Sequence, residues 1–124
     1  MSKQSIKLIF YSIIAIALIG FFFKNGFAQT SNPEVAQAVK EGAFLVDVRT
    51  PAEFADGSAK GAVNIPLGEV PNRLKEFNGK KKIVVFCRSG NRSGQAKNIL
   101  EQNGFKNVIN GGTWEKVNEL VNHK

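Results

Sequence analysis

The sequence predicts an α/β domain, a small parallel sheet with helices on both faces. Ile83-Val84-Val85-Phe86 is a run of four β-formers without polar alternation, and Ala43–Val48 is apolar up to Asp47; such strands are buried on both sides. Apolar positions at helical spacing follow, such as Ala96, Ile99 and Leu100 in the stretch Gly94–Asn103. Alternating strand and helix implies parallel pairing, because each helix supplies the crossover connection. At 124 residues, without repeats or low-complexity linkers, the chain allows one small domain.

The front of the chain stands apart from that pattern. Lys3 and Lys7 precede an apolar run from Leu8 to Phe23, and Gly26 and Ala28 are small residues where a signal peptidase inspects, so residues 1–28 are expected to be an export signal peptide. A spanning helix needs about 20 apolar residues, and Lys24 and Asn25 interrupt this run sooner. Cleavage leaves residues 29–124 as the mature domain, periplasmic or secreted. Without cleavage the same segment anchors the protein to the membrane, facing the periplasm.

The net charge of +7 includes Lys3, Lys7 and Lys24, while all 10 acidic residues lie beyond them, so the mature chain is only modestly basic. Lys80-Lys81-Lys82 read as a solvated turn ahead of the central strand, with no base-stacking aromatic motif beside them. No nucleic-acid partner is expected.

Asn32 and Pro33 open a packing helix carrying Val35, Ala38 and Val39, which Gly42 closes. Strand Ala43–Val48 places Asp47 and Arg49 at its carboxyl end. They either support the site residues from behind or form a structural pair, with Asp47 capping loop N–H groups and Arg49 reaching Glu53. Pro51–Ala55 suggests one helical turn, and Ala62–Ile65 a short strand. Leu67, Val70, Leu74 and Phe77 predict a helix over 66–77, with Pro71 tolerable only in its first turn. Val108-Ile109 is a further short strand, turned by Gly111-Gly112, and Thr113 caps a last helix bearing Trp114, Val117, Leu120 and Val121.

Chemistry concentrates in Cys87-Arg88-Ser89-Gly90-Asn91-Arg92-Ser93, at the strand-to-helix turn after Phe86. In open α/β sheets ligands collect beyond the carboxyl ends of strands. Small residues there let backbone N–H groups point inward and join the positive helix N-terminus as an anion site. A thiol in that field, beside Arg88 and Arg92, favours the thiolate, which is the nucleophilic form. Cys87 is the one cysteine of the chain, so no internal disulfide forms and no second thiol resolves a reaction at it. The plain alternative is a small core hydrophobe at the end of a strand.

Cys87–Ser93 resembles the active-site loop of rhodanese-type sulfurtransferases. Asp47-Val48-Arg49 resembles that family's Asp-Val-Arg segment, Gly61-Ala62-Val63-Asn64-Ile65-Pro66 its Gly-Ala-x-Asn-Ile-Pro segment, and Gly111-Gly112 its C-terminal glycine pair. The resemblance implies the rhodanese-like fold and an enzyme, exported by the N-terminal segment, that moves a sulfane sulfur from a small anionic donor such as thiosulfate. Transfer runs through a Cys87 persulfide to a thiol or cyanide acceptor. Arg88, Ser89, Gly90, Asn91, Arg92 and Ser93 would bind the donor, with no metal or organic cofactor, in a protein expected to be monomeric.

This chain departs from the family in two places. Gly57-Ser58-Ala59 stands where relatives usually have Gly-His-Ile, which excludes an acid-base role for that histidine, and the usual first edge strand is abbreviated. A cysteine phosphatase is the second enzymatic reading, but its loop is Cys-x5-Arg and Cys87 to Arg92 is Cys-x4-Arg. A non-catalytic binding module is the third, since fold does not guarantee function.

Overall fold

The computed structural model describes residues 32–123; the expected signal peptide over 1–28 lies outside the described residues. In chain order the elements are α1 (Pro33–Lys40), β1 (Phe44–Asp47), α2 (Pro51–Asp56), β2 (Val63–Asn64), 3₁₀ segments Leu67–Asn72 and Leu74–Phe77, β3 (Ile83–Cys87), α3 (Asn91–Gln102), β4 (Val108–Thr113) and α4 (Trp114–Asn122). All strand pairs are parallel, in the order β2-β1-β3-β4. This is the small parallel sheet expected, with a hydrophobic cluster on each face. Among the described residues no helix is long and apolar enough to cross a membrane.

β3 is central and fully buried, which is why it needed apolar residues at every position. Its side chains alternate. Ile83, Val85 and Cys87 join Ala96 and Leu100 of α3 with Val70 and Phe77 of the 3₁₀ segments. Val84 and Phe86 point the other way, toward Val35 and Ala38 of α1 and Val117 of α4. Burying a side chain the size of Phe86 contributes roughly 1.5–3 kcal/mol. The same alternation puts Asp47, paired in register with Phe86, on the face opposite Cys87.

Two segments depart from the sequence expectation. The 66–77 stretch is not α-helical: Arg73 N–H donates to Val70 O, Glu76 N–H to Arg73 O and Asn78 N–H to Lys75 O, all three-residue steps. Pro71 lies inside the first segment and has no N–H for an α ladder, so the chain takes tighter turns that still bury Val70 and Phe77.

The glycine pair does not end the fourth strand either. β4 runs through it to Thr113, and Gly111 is the extra residue of a bulge, since Val85 pairs with Asn110 while Phe86 pairs with Gly112. A Cβ on Gly111 would lie 2.8 Å from Val84 Cγ1 and 2.9 Å from Val117 Cγ2, so only glycine lets β4 pass there. The bulge carries Asn110 on one side and Gly112 on the other into the region of Cys87.

Candidate active site

Cys87 ends β3 with its side chain fully buried on the α3 face. Arg88, Ser89 and Gly90 are all the chain needs to reach α3, which begins at Asn91, so the last three residues of the Cys87–Ser93 stretch form a helical turn rather than a loop. Gly90 makes that turn possible: its φ of 96° is left-handed, a conformation side chains disfavour. The reversal aims Gly90 N–H at Cys87 Sγ, 3.0 Å away. Ser93, one helical turn later and fully buried, brings its Oγ to 3.4 Å from the same sulfur.

Burial by itself pushes the thiol toward its neutral form, and that is the largest single influence. The Ser93 hydroxyl and the N–H groups of Ser93, Ser89 and Gly90 together outweigh it and hold the thiol at about 7. A free thiol titrates at about 8.5. At neutral pH about half of the sulfur is therefore anionic, inside a ring of donors. Beyond it, Arg88 and Ser89 are exposed at the mouth.

Arg92 is held elsewhere. Its Nη1 and Nη2 donate to Glu53 Oε1 and Oε2 at 2.7 and 3.0 Å, a bidentate pair bridging α3 to α2. The pair raises the guanidinium's affinity for its proton, and with the Thr50 hydrogen bonds it holds the Glu53 carboxyl down at about 2. Glu53 is in turn the N3 residue of a capping box, accepting from Thr50 N–H while its own N–H donates to Thr50 Oγ1.

The Rhodanese-like domain family matches residues 31–117 of this chain. The chain belongs to that family. YqhL of Bacillus subtilis strain 168, an uncharacterized protein, is 32% identical over 110 residues, which is 89% of this chain and 87% of YqhL. The thiosulfate sulfurtransferase PspE of Escherichia coli K12 is 41% identical over 69 residues, covering 54% of this chain and 66% of PspE. The human single-domain sulfurtransferase TSTD1 superposes with a TM-score of 0.59 at 29% identity, over 73% of this chain and 94% of that one.

In this rhodanese-like domain Asp47 and Arg49 form a closed cluster on the other side of the sheet. Arg49 Nη2 donates to Asp47 Oδ2 at 2.7 Å and to Gly57 O at 2.6 Å, and Arg49 N–H donates to Asp47 Oδ1 at 2.9 Å. Its guanidinium lies over the Trp114 ring, 5.1 Å from the centroid. Arg49 thus pairs with Asp47, and Glu53 is taken by Arg92, which corrects the expectation that Arg49 reaches Glu53. The reason is reach along β1: residues two apart share a face, and Asp47 is the acceptor on it. Ser58 donates its hydroxyl to Asp47 Oδ2 at 2.7 Å and so occupies the remaining acceptor position.

Sequence reading passed over Asn110, which fastens the whole turn. Its Nδ2 donates to Gly90 O at 3.0 Å, and its Oδ1 accepts from Gly112 N–H at 3.0 Å and from Ser93 Oγ at 2.7 Å. A polar residue ending an apolar strand, just before a glycine pair, was the available signal. Thr50 and Glu53 at capping-box spacing were another. Among the described residues no cluster of three or more His, Cys, Asp or Glu side chains could hold a metal ion.

Proposed function

We propose that this rhodanese-type enzyme is an exported thiosulfate sulfurtransferase working through a Cys87 persulfide. The observation that carries the reading is the chain's one thiol, held at about 7 by Gly90 N–H and Ser93 Oγ at the carboxyl end of a central parallel strand. The similarity to PspE, which is named a thiosulfate sulfurtransferase, supports the choice of donor.

In the first half-reaction Cys87 Sγ attacks the outer sulfur of thiosulfate. A sulfur–sulfur bond forms to Cys87, the donor's sulfur–sulfur bond breaks, and sulfite leaves with the electron pair. Arg88 at the mouth and the N-terminus of α3 stabilise the arriving and departing anions. In the second, a thiolate or cyanide attacks the outer persulfide sulfur and the pair returns to Sγ. With no second cysteine, the acceptor comes from outside and the kinetics are ping-pong. Asn91 and Ser93 sit on the first turn of α3, and Arg92 holds that turn against α2 through Glu53.

Export rests on the N-terminal pattern: Lys3 and Lys7, the apolar run from Leu8 to Phe23, then Gly26 and Ala28. The mature protein starts at Gln29 and acts as a periplasmic or secreted monomer. N-terminal sequencing of exported protein checks this, and an intact N-terminus in the membrane fraction would make it an anchored enzyme instead.

The chemistry is tested by intact-mass analysis after thiosulfate, polysulfide or a phosphoester. One added sulfur atom on Cys87, lost again on addition of cyanide, is the expected result. A reduced, folded sample that gains no sulfur from any sulfane donor would leave the binding module.

A further inference from the structure

When Cys87 ionises, one hydroxyl proton is left for two acceptors, Cys87 Sγ and Asn110 Oδ1, and Asn110 decides where that proton stays. Gly90 O can only accept and Gly112 N–H can only donate, which fixes the Asn110 amide with Nδ2 toward Gly90 and Oδ1 toward Gly112. Ser93 Oγ lies 2.7 Å from that Oδ1, which has no hydrogen, so the single hydroxyl proton of Ser93 points at Asn110. Across the 3.4 Å contact with Cys87, Ser93 Oγ therefore presents a lone pair, and the thiol S–H is the donor. Once the thiol proton leaves to solvent, a lone pair would face an anionic sulfur. The arrangement is then unfavourable unless the hydroxyl turns.

We propose that Asn110 is a positioning residue for the nucleophile: it holds the Ser93 hydroxyl proton while Cys87 is neutral and gives it up to Sγ when the thiolate forms. Turning the hydroxyl leaves Oδ1 still bonded to Gly112 N–H and Nδ2 to Gly90 O, so neither state strands a buried polar group. The site alternates between two satisfied patterns, and the competition for one proton sets how readily sulfur becomes reactive. The low thiol value agrees, since the Ser93 hydroxyl is the largest influence that lowers it.

Charged groups on the surrounding elements are otherwise engaged. Arg92 is paired with Glu53 on α2, Asp47 with Arg49 at the end of β1, and Glu69 with Arg73 on the 3₁₀ segments packed against α3; Arg88 is exposed. None of them hydrogen-bonds Sγ. The groups that do are the Ser93 hydroxyl and backbone N–H groups, which act at contact range and in one direction.

The inference rests on Cys87 being the working thiol but not on sulfur transfer, so its test uses no sulfur donor. Alkylation by iodoacetamide followed across pH reports the thiolate, and the single cysteine makes the mass unambiguous. Ser93→Ala should move the midpoint up by about one pH unit, a tenfold change in thiolate at fixed pH. Asn110→Ala should move it down in the native background, because the hydroxyl then has no rival acceptor, and should leave it unmoved in the Ser93→Ala background. An equal shift in both backgrounds, or no shift in the native one, overturns the proposal.

Should Asn110→Ala not fold, the amide resonance of Gly112 serves. It loses its rival for Oδ1 when the hydroxyl turns, so it should titrate with the thiol in the native protein and much less in Ser93→Ala. Equal titration in both proteins overturns the proposal, whatever the outcome of the thiosulfate experiment.

Discussion

Asp47 at the end of β1 and Cys87 at the end of β3 are both fully buried, lie on neighbouring strands and accept several hydrogen bonds, yet they are surrounded in opposite ways. Around Asp47 the opposite charge is in direct contact, and Ser58 occupies the position left over. Around Cys87, among the described residues, no cation hydrogen-bonds the sulfur; its partners are the Ser93 hydroxyl and backbone N–H groups, and the neighbouring arginine is neutralised by Glu53. A salt-bridged carboxylate has little left to offer a substrate. A thiolate held by neutral donors keeps its nucleophilic electron pair, so the proposed function assigns the reaction to the second cluster and leaves the first as the fastener.

The difference is broken most completely at the sulfur. Cys87→Ser should abolish sulfur uptake from thiosulfate while leaving the circular dichroism spectrum and unfolding midpoint near those of the native protein, since a hydroxyl fits the volume but is a far weaker nucleophile. Sulfur found on the variant would remove Cys87 from the chemistry.

Asp47→Ala attacks the fastener. It leaves the Arg49 guanidinium, 4% exposed, without its anion, and truncating one partner of a buried pair costs about 3–5 kcal/mol. Urea unfolding reads this. The thiol's titration should stay where it was, because the cluster lies on the other face of the sheet, and a large shift there would tie Asp47 to the site after all.

The pH profile sharpens the same contrast. Below about 7 the initial rate of sulfur uptake should fall about tenfold per pH unit as the thiol protonates, and above it the rate should level off. The linkage has a definite sign: the folded value lies below the unfolded one, so the unfolded chain binds the extra proton between them. Stability should therefore rise with pH between about 7 and the unfolded thiol's about 8.5, and Cys87→Ser should lose that rise. A flat profile in the native protein would contradict the donor ring.

Arg92→Ala should lower kcat by about tenfold, and Glu53→Gln should do much the same, because each frees the first turn of α3 from α2. Arg88→Ala, at the exposed mouth, should chiefly raise KM a few-fold. Steady-state rates with thiosulfate separate the two patterns, and equal small effects in all three would take these residues out of the mechanism. The smallest effect belongs to Ser58→Ala, about 1 kcal/mol of stability for one hydrogen bond to a buried carboxylate that keeps its arginine.

Much of the molecule was legible in its sequence. Uninterrupted apolar residues in β3 required burial on both faces, helical spacing placed α1, α3 and α4, and the Cys87–Ser93 stretch marked the candidate site, because periodicity and composition are local properties. The proline effect in 66–77 was partly visible, but tighter 3₁₀ turns satisfied the same apolar spacing as a helix. What distance along the chain concealed was decided in three dimensions. Arg92 meets Glu53 thirty-nine residues away, and Ser93 meets Asn110 seventeen away. Which of several arginines pairs with which acid, and which face of the sheet each polar residue takes, depends on strand order and on the bulge at Gly111, both products of tertiary packing. The sequence by itself determined that a thiol would stand at the carboxyl end of a central strand; only the fold decided that neutral donors rather than the nearby arginines would hold it, because a side chain's partners follow from what the packed elements bring within about 3 Å of it.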